Sequence, residues 1–436
     1  MRTKRILLLG YNWPLNVVRL PQLFAEGGYR VDALFPRGFS VDESRHLSTC
    51  YWSDGNRQDY MSQLRSVLQA NVYDLYILAD EAVLRMLSDE EERFCIRRMG
   101  NLPLDPLRLQ SLYDKAAFTE LGQLEKWPLP ESHIFENSQQ AIEYGVQTMK
   151  YPFVLKGAYG AGGWRVQIFK SDEDLQSIKS SFEQPGLWIL QRYITGESGC
   201  LEGLYHRGQL LGFIASTEYR KRNGETSQSA SRRLFCHPQL QVIAQQIGNS
   251  LGYTGFFGFD FQHDRQSDQI YVLELHGRAA SGYHLGKRVG VDFAKVFSEM
   301  SDGVDVCVAI DLSRSGELYS LYPQYFSFLK SCHSAAEWLL FVRIYRFRGI
   351  ASSMTCPIGK IGRFIEVILR NSNFGSNPGA DKFPDSLTRD CVRCLLYIEK
   401  ENDVRFLRPD SLGGAHACAS SDRGGSGGFA LCALVA

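Results

Sequence analysis

Apolar and polar positions alternate along the first hundred residues in two different rhythms. Residues 6–9 (Ile-Leu-Leu-Leu) are a short continuous apolar run that stops at Gly10, the pattern of a buried strand. Val17, Leu20, Leu23 and Phe24 then recur at helical spacing over 17–26, and Gly27-Gly28 closes the segment. Residues 29–35 predict a second strand. Residues 60–70, with Met61, Leu64, Val67 and Leu68, predict a second helix, and 75–78 a third buried strand running into Asp80-Glu81. Strand, helix, strand, helix, strand implies a parallel sheet with covering helices. Pro103 and Pro106 mark a linker, after which strands and helices alternate from 112 to 300. Beyond 301 the character changes. Aromatic residues gather at Tyr319, Tyr322, Tyr325, Phe326 and Phe328, a helix is predicted over 335–347, and from 412 onward Gly, Ala and Ser dominate. That composition predicts a disordered tail. No internal repeat stands out.

Composition narrows the class. The chain has 436 residues, 44% apolar and 22% charged, with 48 basic and 48 acidic residues and so a formal net charge of 48 − 48 = 0. A length near three times the usual domain of about 150 residues gives ample core. Neutrality argues against a dedicated nucleic-acid binder, and the apolar content against wholesale disorder. No apolar run reaches the roughly 18 residues of a membrane span. Arg2, Lys4 and Arg5 before residues 6–9 resemble a signal peptide, but the apolar run is too short and no small-residue cleavage site follows, so a buried first strand is expected. Eleven scattered cysteines, an odd number, fit free thiols in a reducing cytoplasm. The loop after the first strand has one glycine where a dinucleotide fingerprint needs three, so it predicts either a small-substrate site at a strand end or a plain turn.

The richest stretch is Lys156-Gly-Ala-Tyr-Gly160-Ala-Gly162-Gly163, between an apolar strand at 151–155 and a second strand at 166–169. Glycines let backbone N–H groups approach phosphate oxygens, and the lysine adds a point charge. No Gly-Lys-Ser/Thr opens a helix here, so this is not a Walker loop, and the same spacing serves an ordinary hairpin. Lys115 opens a helix-like segment upstream, and 187–193 reads as a strand. Further on, Asp260 lies in Gly-Phe-Asp-Phe, and Glu274, His276 and Arg278 alternate along one face of a strand. Acids with apolar neighbours on strands seldom serve solubility, because burying an unpaired charge is costly. Oxygen ligands from two strands suit a hard cation beside nucleotide phosphates.

The order of these features resembles the ATP-grasp superfamily, and within it the carboxylate–amine ligases. The match covers roughly 112–300, and the region before it resembles the family's preceding α/β domain. The resemblance implies an α/β chain, α+β in its central part. Residues 1–110 would be the N-terminal parallel-sheet pre-ATP-grasp domain and 111–300 an ATP-grasp fold of two α+β subdomains. A region of unknown role would span 301–411, and the Gly/Ala/Ser-rich tail 412–436. It implies that Lys115 and Lys156 bind ATP phosphates, that the loop of Gly160, Gly162 and Gly163 folds over them, and that Gln191, Arg192, Tyr193 and Ile194 line the adenine pocket. Asp260 and Glu274 match the two metal-binding acids and Arg278 the arginine that follows. Arg220 or Arg222, in a basic run, would supply a cation to the γ-phosphate or the substrate carboxylate, unless that run is a solvated loop. The implied cofactors are ATP and Mg²⁺. The implied partners are a small carboxylate and an amine, amino acids among the candidates, with a homodimer as a possible assembly and no nucleic acid or membrane.

Three departures from the family's pattern stand out. His276 replaces an asparagine, and imidazole suits Mn²⁺ or Zn²⁺ better than Mg²⁺. Glu197 lies next to Gly196, one residue short of the usual ribose-binding acid, where Ser198 stands. His-Gly-Arg replaces Asn-Pro-Arg, which loosens the turn. The function expected is an ATP-dependent ligase that forms an acylphosphate and passes it to an amine. The alternatives are a degenerate nucleotide-binding module and a scaffold whose C-terminal third binds a partner. Residues 277–286 read as a flexible loop, with Ser281, Tyr283 and His284 as polar candidates against the acceptor, or as a plain connection. Weaker signals are Cys391 and Cys394 with His416 and Cys418 as half a zinc site, a basic amphipathic stretch at 339–348, and Cys200 as a buried thiol.

Overall fold

The computed structural model describes residues 3–12, 20–37, 44–160, 163, 165–178, 180–221, 229–280, 282–304, 306 and 315–320. The predicted helix at 335–347, the basic stretch at 339–348, the cysteine pair at 391–394 and the tail from 412 lie outside them.

The N-terminal region is the predicted parallel sheet. Strands β1 (Arg5–Leu9), β2 (Arg30–Pro36), β3 (Thr49–Ser53) and β4 (Leu75–Leu78) lie in the order β3-β2-β1-β4. All pairings are parallel. Helix α1 (Leu20–Glu26) follows β1, and α2 (Arg57–Ala70) joins β3 to β4. Asn56 caps α2 by accepting the Asp59 N–H, and the predicted stripe Tyr60, Met61, Leu64, Val67 and Leu68 is its buried face. β3 escapes the sequence pattern because it is an edge strand whose first four residues are half-buried.

The strand order reverses between β1 and β4, and Asp80 stands at that point. Its carboxylate accepts the N–H groups of Tyr11 and Asn12 at 2.7 and 2.8 Å, and those of Ala82 and Val83 at the start of α3 (Glu81–Leu87). Helix α4 (Arg93–Met99) ends at Gly100 in the left-handed conformation. The linker expected at Pro103 and Pro106 is structured instead. Leu102 is buried, Asp105 caps helix α5 (Pro106–Ser111), and Pro106 occupies the first helical position, where its missing N–H costs nothing.

Helix α6 (Lys115–Leu124) leads into an antiparallel sheet of β5 (Ser132–Phe135), β6 (Phe153–Gly157), β7 (Val166–Phe169) and β8 (Trp188–Arg192), ordered β5-β8-β6-β7. Helix α7 (Ser138–Tyr144) covers it, and Phe153, Phe169, Phe182 and Trp188 form a small core of their own. The third sheet is antiparallel, in the order β13-β12-β9-β10-β11-β14. Its strands are β9 (Glu197–His206), β10 (Gln209–Lys221), β11 (Ser229–Leu234), β12 (Gly255–Asp264), β13 (Gln269–His276) and β14 (Leu318–Ser320). Helix α8 (Pro238–Leu251) packs on it, and α9 (Phe293–Ser301) follows β13.

One apolar core runs from β1 and β4 (Leu7, Leu9, Leu78) through α2 to Tyr205, Phe257 and Phe259 of the third sheet and Leu240 and Ile247 of α8. The parallel sheet and the six-stranded sheet are thereby fixed against each other. Among the described residues no helix is long and apolar enough to cross a membrane. Cys95 and Cys200 are buried thiols.

Candidate active site

β12 and β13 pair antiparallel, with Asp260 opposite Glu274 and Gly258 opposite His276. Directly opposed carboxylates repel each other, so this register demands cations. The structure supplies them. His276 Nε2 lies 3.2 Å from Asp260 Oδ2 and 3.9 Å from Glu274 Oε1, and Lys115 Nζ lies 2.7 Å from Glu274 Oε2. Burial pulls the His276 imidazolium down, but the charge and hydrogen bond of Asp260, with Glu81 and Glu274 behind them, raise it to about 10. Burial pushes the Asp260 carboxyl up, and His276 outweighs it to leave the group at about 2.

The ligand atoms of Asp260, Glu274 and His276 lie within 4.8 Å of one another. Two carboxylates and one imidazole on rigid strands fit a divalent cation, and the imidazole suits Mn²⁺ better than Mg²⁺. A second cluster of the same kind, His237, His263 and Asp268, lies at the start of α8 and the β12–β13 turn.

The lysines come from the other sheet and from α6. Asp114 caps α6 by accepting the Ala116 N–H at 2.7 Å, and the Lys115 N–H donates to Ala158 O at 3.0 Å. Lys115 Nζ also donates to Gly160 O at 3.0 Å, so it joins the glycine-rich turn to Glu274 on β13. Burial lowers the Lys115 ammonium, but the Glu274 charge and hydrogen bond outweigh that and raise it. Lys156, on β6, is buried and donates to Gln191 Oε1 at 2.7 Å, while Gln191 Nε2 donates to Ser132 Oγ at 3.0 Å. Burial brings Lys156 down to about 8, only partly opposed by Glu274. It is a buried cation with no carboxylate in contact among the described residues, an arrangement that an incoming anion completes.

Three residues in the cluster escaped the sequence pattern. Glu81, at the first position of α3, sets Oε1 3.4 Å from both His276 Nδ1 and Arg278 Nε. Burial raises its carboxyl, yet the His276 hydrogen bond and the Arg278 charge bring it down to about 2. Arg232, on β11, has its guanidinium against Cys200 Sγ and 3.5 Å from Ser216 Oγ, and its charge helps to lower Asp260. Glu202, on β9, is buried and accepts the Gly282 N–H at 2.8 Å. A Cβ on Gly282 would stand 2.7 Å from Glu202 Oε2, so glycine is what permits that approach. Burial raises Glu202, against the charge of Arg232. The one available signal was period-two alternation, which puts Arg232 in phase with Leu234; the partners come from tertiary packing.

Other expectations divide. Gln191 faces Lys156, whereas Arg192 pairs with Glu131 at the surface. Tyr193 and Ile194 follow β8 outside any helix or strand, and Gly196 (φ +154°) sits where the His263 carbonyl leaves no room for a Cβ. Glu197 pairs with Arg265 of the β12–β13 turn, away from Asp260 and Glu274. Gly160 and Gly163 have positive φ, while Gly162 lies outside the described residues. So does Arg222, and of Arg220 only the backbone is described, opposite Ser231. The guanidinium that the described residues bring to the acids from this side is Arg232.

The flexible loop expected at 277–286 is a correction. Ala279 is fully buried and donates its N–H to Leu78 O at 2.8 Å, and 283–289 forms a 3-10 turn. Tyr283 is a core residue, not a candidate against the acceptor: its ring packs on Phe256 and Phe293, and its hydroxyl lies 3.4 Å from Gly203 O and Phe257 O. Ser281 lies outside the described residues, and His284 falls in the 3-10 turn. Cys200 is buried as expected, and burial pushes its thiol up to about 12.

Residues 113–282 match the family described as ATP-grasp domain. Among curated proteins, the chain is 26% identical over 230 residues to the "Carbamoyl phosphate synthase large chain, C-terminal section" of Methanopyrus kandleri, covering 50% of this chain and 41% of that one. It is 23% identical over 188 residues to "Biotin carboxylase 1" of Bacillus subtilis, covering 40% of this chain and 41% of that one. The chain thus spans less than half the length of these relatives. Among solved structures, N5-carboxyaminoimidazole synthetase from Staphylococcus aureus complexed with ADP superposes with a TM-score of 0.55 at 15% identity, covering 71% of this chain and 81% of that one. L-amino acid ligase from Bacillus licheniformis superposes with a TM-score of 0.51 at 15% identity, covering 69% and 74%. These are likenesses of fold.

Proposed function

We propose, from the premise that residues 113–282 are an ATP-grasp domain, that the protein is an ATP- and Mg²⁺-dependent ligase joining a small carboxylate to an amine. The observation that carries this reading is the single row made by Glu274, Asp260 and His276, with Lys115 bridging Glu274 to Gly160 O and Lys156 buried behind it. An acid pair held together by protein cations faces two lysines, of which Lys156 has no carboxylate in contact among the described residues. A metal–triphosphate would put a metal cation at the acids and an anion at Lys156.

In the proposed reaction a carboxylate oxygen attacks the γ-phosphorus, the bond to the β–γ bridging oxygen breaks, and ADP leaves. The amine then attacks the carbonyl carbon of the acylphosphate. The C–N bond forms, the C–O bond to phosphate breaks, and the amine gives up a proton. Lys115 and Lys156 neutralise phosphate charge so that two anions can meet. Asp260, Glu274 and His276 hold the divalent cation, which when bound screens the same charge. Arg232 and Arg278 place positive charge near Asp260, which this reading assigns to the acylphosphate oxygens and the tetrahedral oxyanion. The ends of β1 and β4, at Tyr11, Asn12 and Asp80, form the switch point of the first sheet, and this reading assigns substrate selection there.

The test is ADP release across a panel of small carboxylates, bicarbonate and amino acids included, against a panel of amines, with Mg²⁺ and Mn²⁺ compared. Release that needs both substrates, and that disappears in Lys156→Ala and Glu274→Ala, is the expected result. Tight ATP binding without ADP release for any pair would identify a degenerate nucleotide module instead.

A further inference from the structure

Helix α3 belongs by sequence to the N-terminal region, yet its first turn meets the end of β13 and the residues after it at three points. The backbone fixes the approach, because the Ala279 N–H donates to Leu78 O at 2.8 Å just where β4 enters α3. The packing fixes its depth. A Cβ on Gly277 would lie 2.7 Å from Leu112 Cβ and 2.6 Å from the tip of Leu84 on α3, so glycine between His276 and Arg278 allows this close packing. The carboxylate of Glu81 then reaches His276 Nδ1 and Arg278 Nε at 3.4 Å each. One turn on, Arg85 lies over the ring of Tyr159 in the glycine-rich turn, 5.0 Å from its centroid. Glu81 itself is held in place by the neighbouring cap, since Asp80 accepts four backbone N–H groups around it.

We propose that Glu81 is a positioning residue for the metal cluster: its carboxylate holds the His276 imidazole with Nε2 toward Asp260 and Glu274, and holds Arg278 beside it. The inference rests on the ligase reading above. Carboxylate–histidine–metal relays of this kind fix the ring orientation and the tautomer of the ligand, and losing the outer carboxylate costs about 10–100-fold in metal affinity. The two departures of the strand end, His276 and Gly277, become one feature. The histidine takes a carboxylate on its far nitrogen, and the glycine beside it allows the close packing of Leu112 and Leu84 there.

The experiment is a Mn²⁺ titration of the whole chain with a non-hydrolysable ATP analogue, read by electron paramagnetic resonance, alongside binding of the analogue without metal. Glu81→Gln is expected to weaken Mn²⁺ about tenfold, and Glu81→Ala further, with metal-free analogue binding unchanged. On a His276→Asn background Glu81→Gln should cost less than about twofold, since the relay is already broken. If Glu81→Ala does not fold, Glu81→Gln, which keeps the side chain's shape, carries the test alone. Equal Mn²⁺ affinity in Glu81→Gln and wild type, or an undiminished loss on the His276→Asn background, overturns the positioning role. A wild type that binds no Mn²⁺ with the analogue would instead contradict the ligase reading.

Discussion

Two clusters in this protein present the same donor types at the same spacing, and only one has the surroundings of a reaction site. Asp260, Glu274 and His276 meet within 4.8 Å, and so do Asp268, His237 and His263. In the second, Asp268 is three-quarters exposed on the β12–β13 turn, and its Oδ1 serves both imidazoles, at 2.9 Å from His263 Nε2 and 3.3 Å from His237 Nε2. His237 Nδ1 accepts the Gln239 N–H at the start of α8, which leaves Nε2 to carry the proton toward Asp268. Both imidazoles of this cluster thus share one exposed carboxylate. In the first, two opposed carboxylates outnumber the imidazole between them, and Lys115, Arg232, Arg278 and Lys156 converge from other elements. The convergence of cations from several elements on opposed acids, more than ligand spacing, is what distinguishes the first cluster.

Substitution should separate the two clusters most sharply. Glu274→Ala is expected to lower ADP release at least about 100-fold, while Asp268→Ala leaves it unchanged; equal effects would erase the distinction. A tenfold-scale effect follows for metal choice. His276→Asn exchanges an imidazole for an amide oxygen and should cut the preference for Mn²⁺ over Mg²⁺ about tenfold, whereas His263→Asn should not move it.

Lys156 gives a pH-dependent version of the contrast. In the proposed reading its ammonium binds the nucleotide, and burial brings it down to about 8 in the free protein. Above that pH the charged fraction falls about tenfold per unit, so kcat/KM for ATP should fall with it, and Lys156→Arg, which stays charged, should flatten the profile. Stability runs the other way. The unfolded lysine, at its ordinary value near 10.4, holds its proton where the folded one has lost it, so stability rises with pH between about 8 and 10. The smallest effect belongs to the exposed cluster. Asp268→Asn should lower the melting temperature by no more than about 2 °C, as measured by calorimetry.

Much of this was legible in the sequence, and the reason differs from residue to residue. β1 and β4 fall where their apolar runs predict, because strands buried on both sides tolerate little else. Glu274, His276 and Arg278 were found by alternation, and Asp260 by the apolar residues around it. Glu81 and Arg232 were not, since a charged residue at a helix start or on a strand is ordinary until its partner is known, and those partners lie 195 residues on (His276) and 32 back (Cys200). Tyr283 misled in the opposite sense: its hydroxyl suggested a ligand contact, but two backbone carbonyls within 3.4 Å face it inside the core. Pro106 suggested a linker for the same kind of reason, because a helix start and a chain break use the same residue.

The most direct test is a crystal of the protein with Mn²⁺ and a non-hydrolysable ATP analogue, read by anomalous diffraction. The account predicts a Mn²⁺ peak bounded by Asp260, Glu274 and His276 Nε2, with the triphosphate between it and Lys115 and Lys156. Mn²⁺ bound instead at His237, His263 and Asp268, with the first cluster empty beside bound nucleotide, would contradict it.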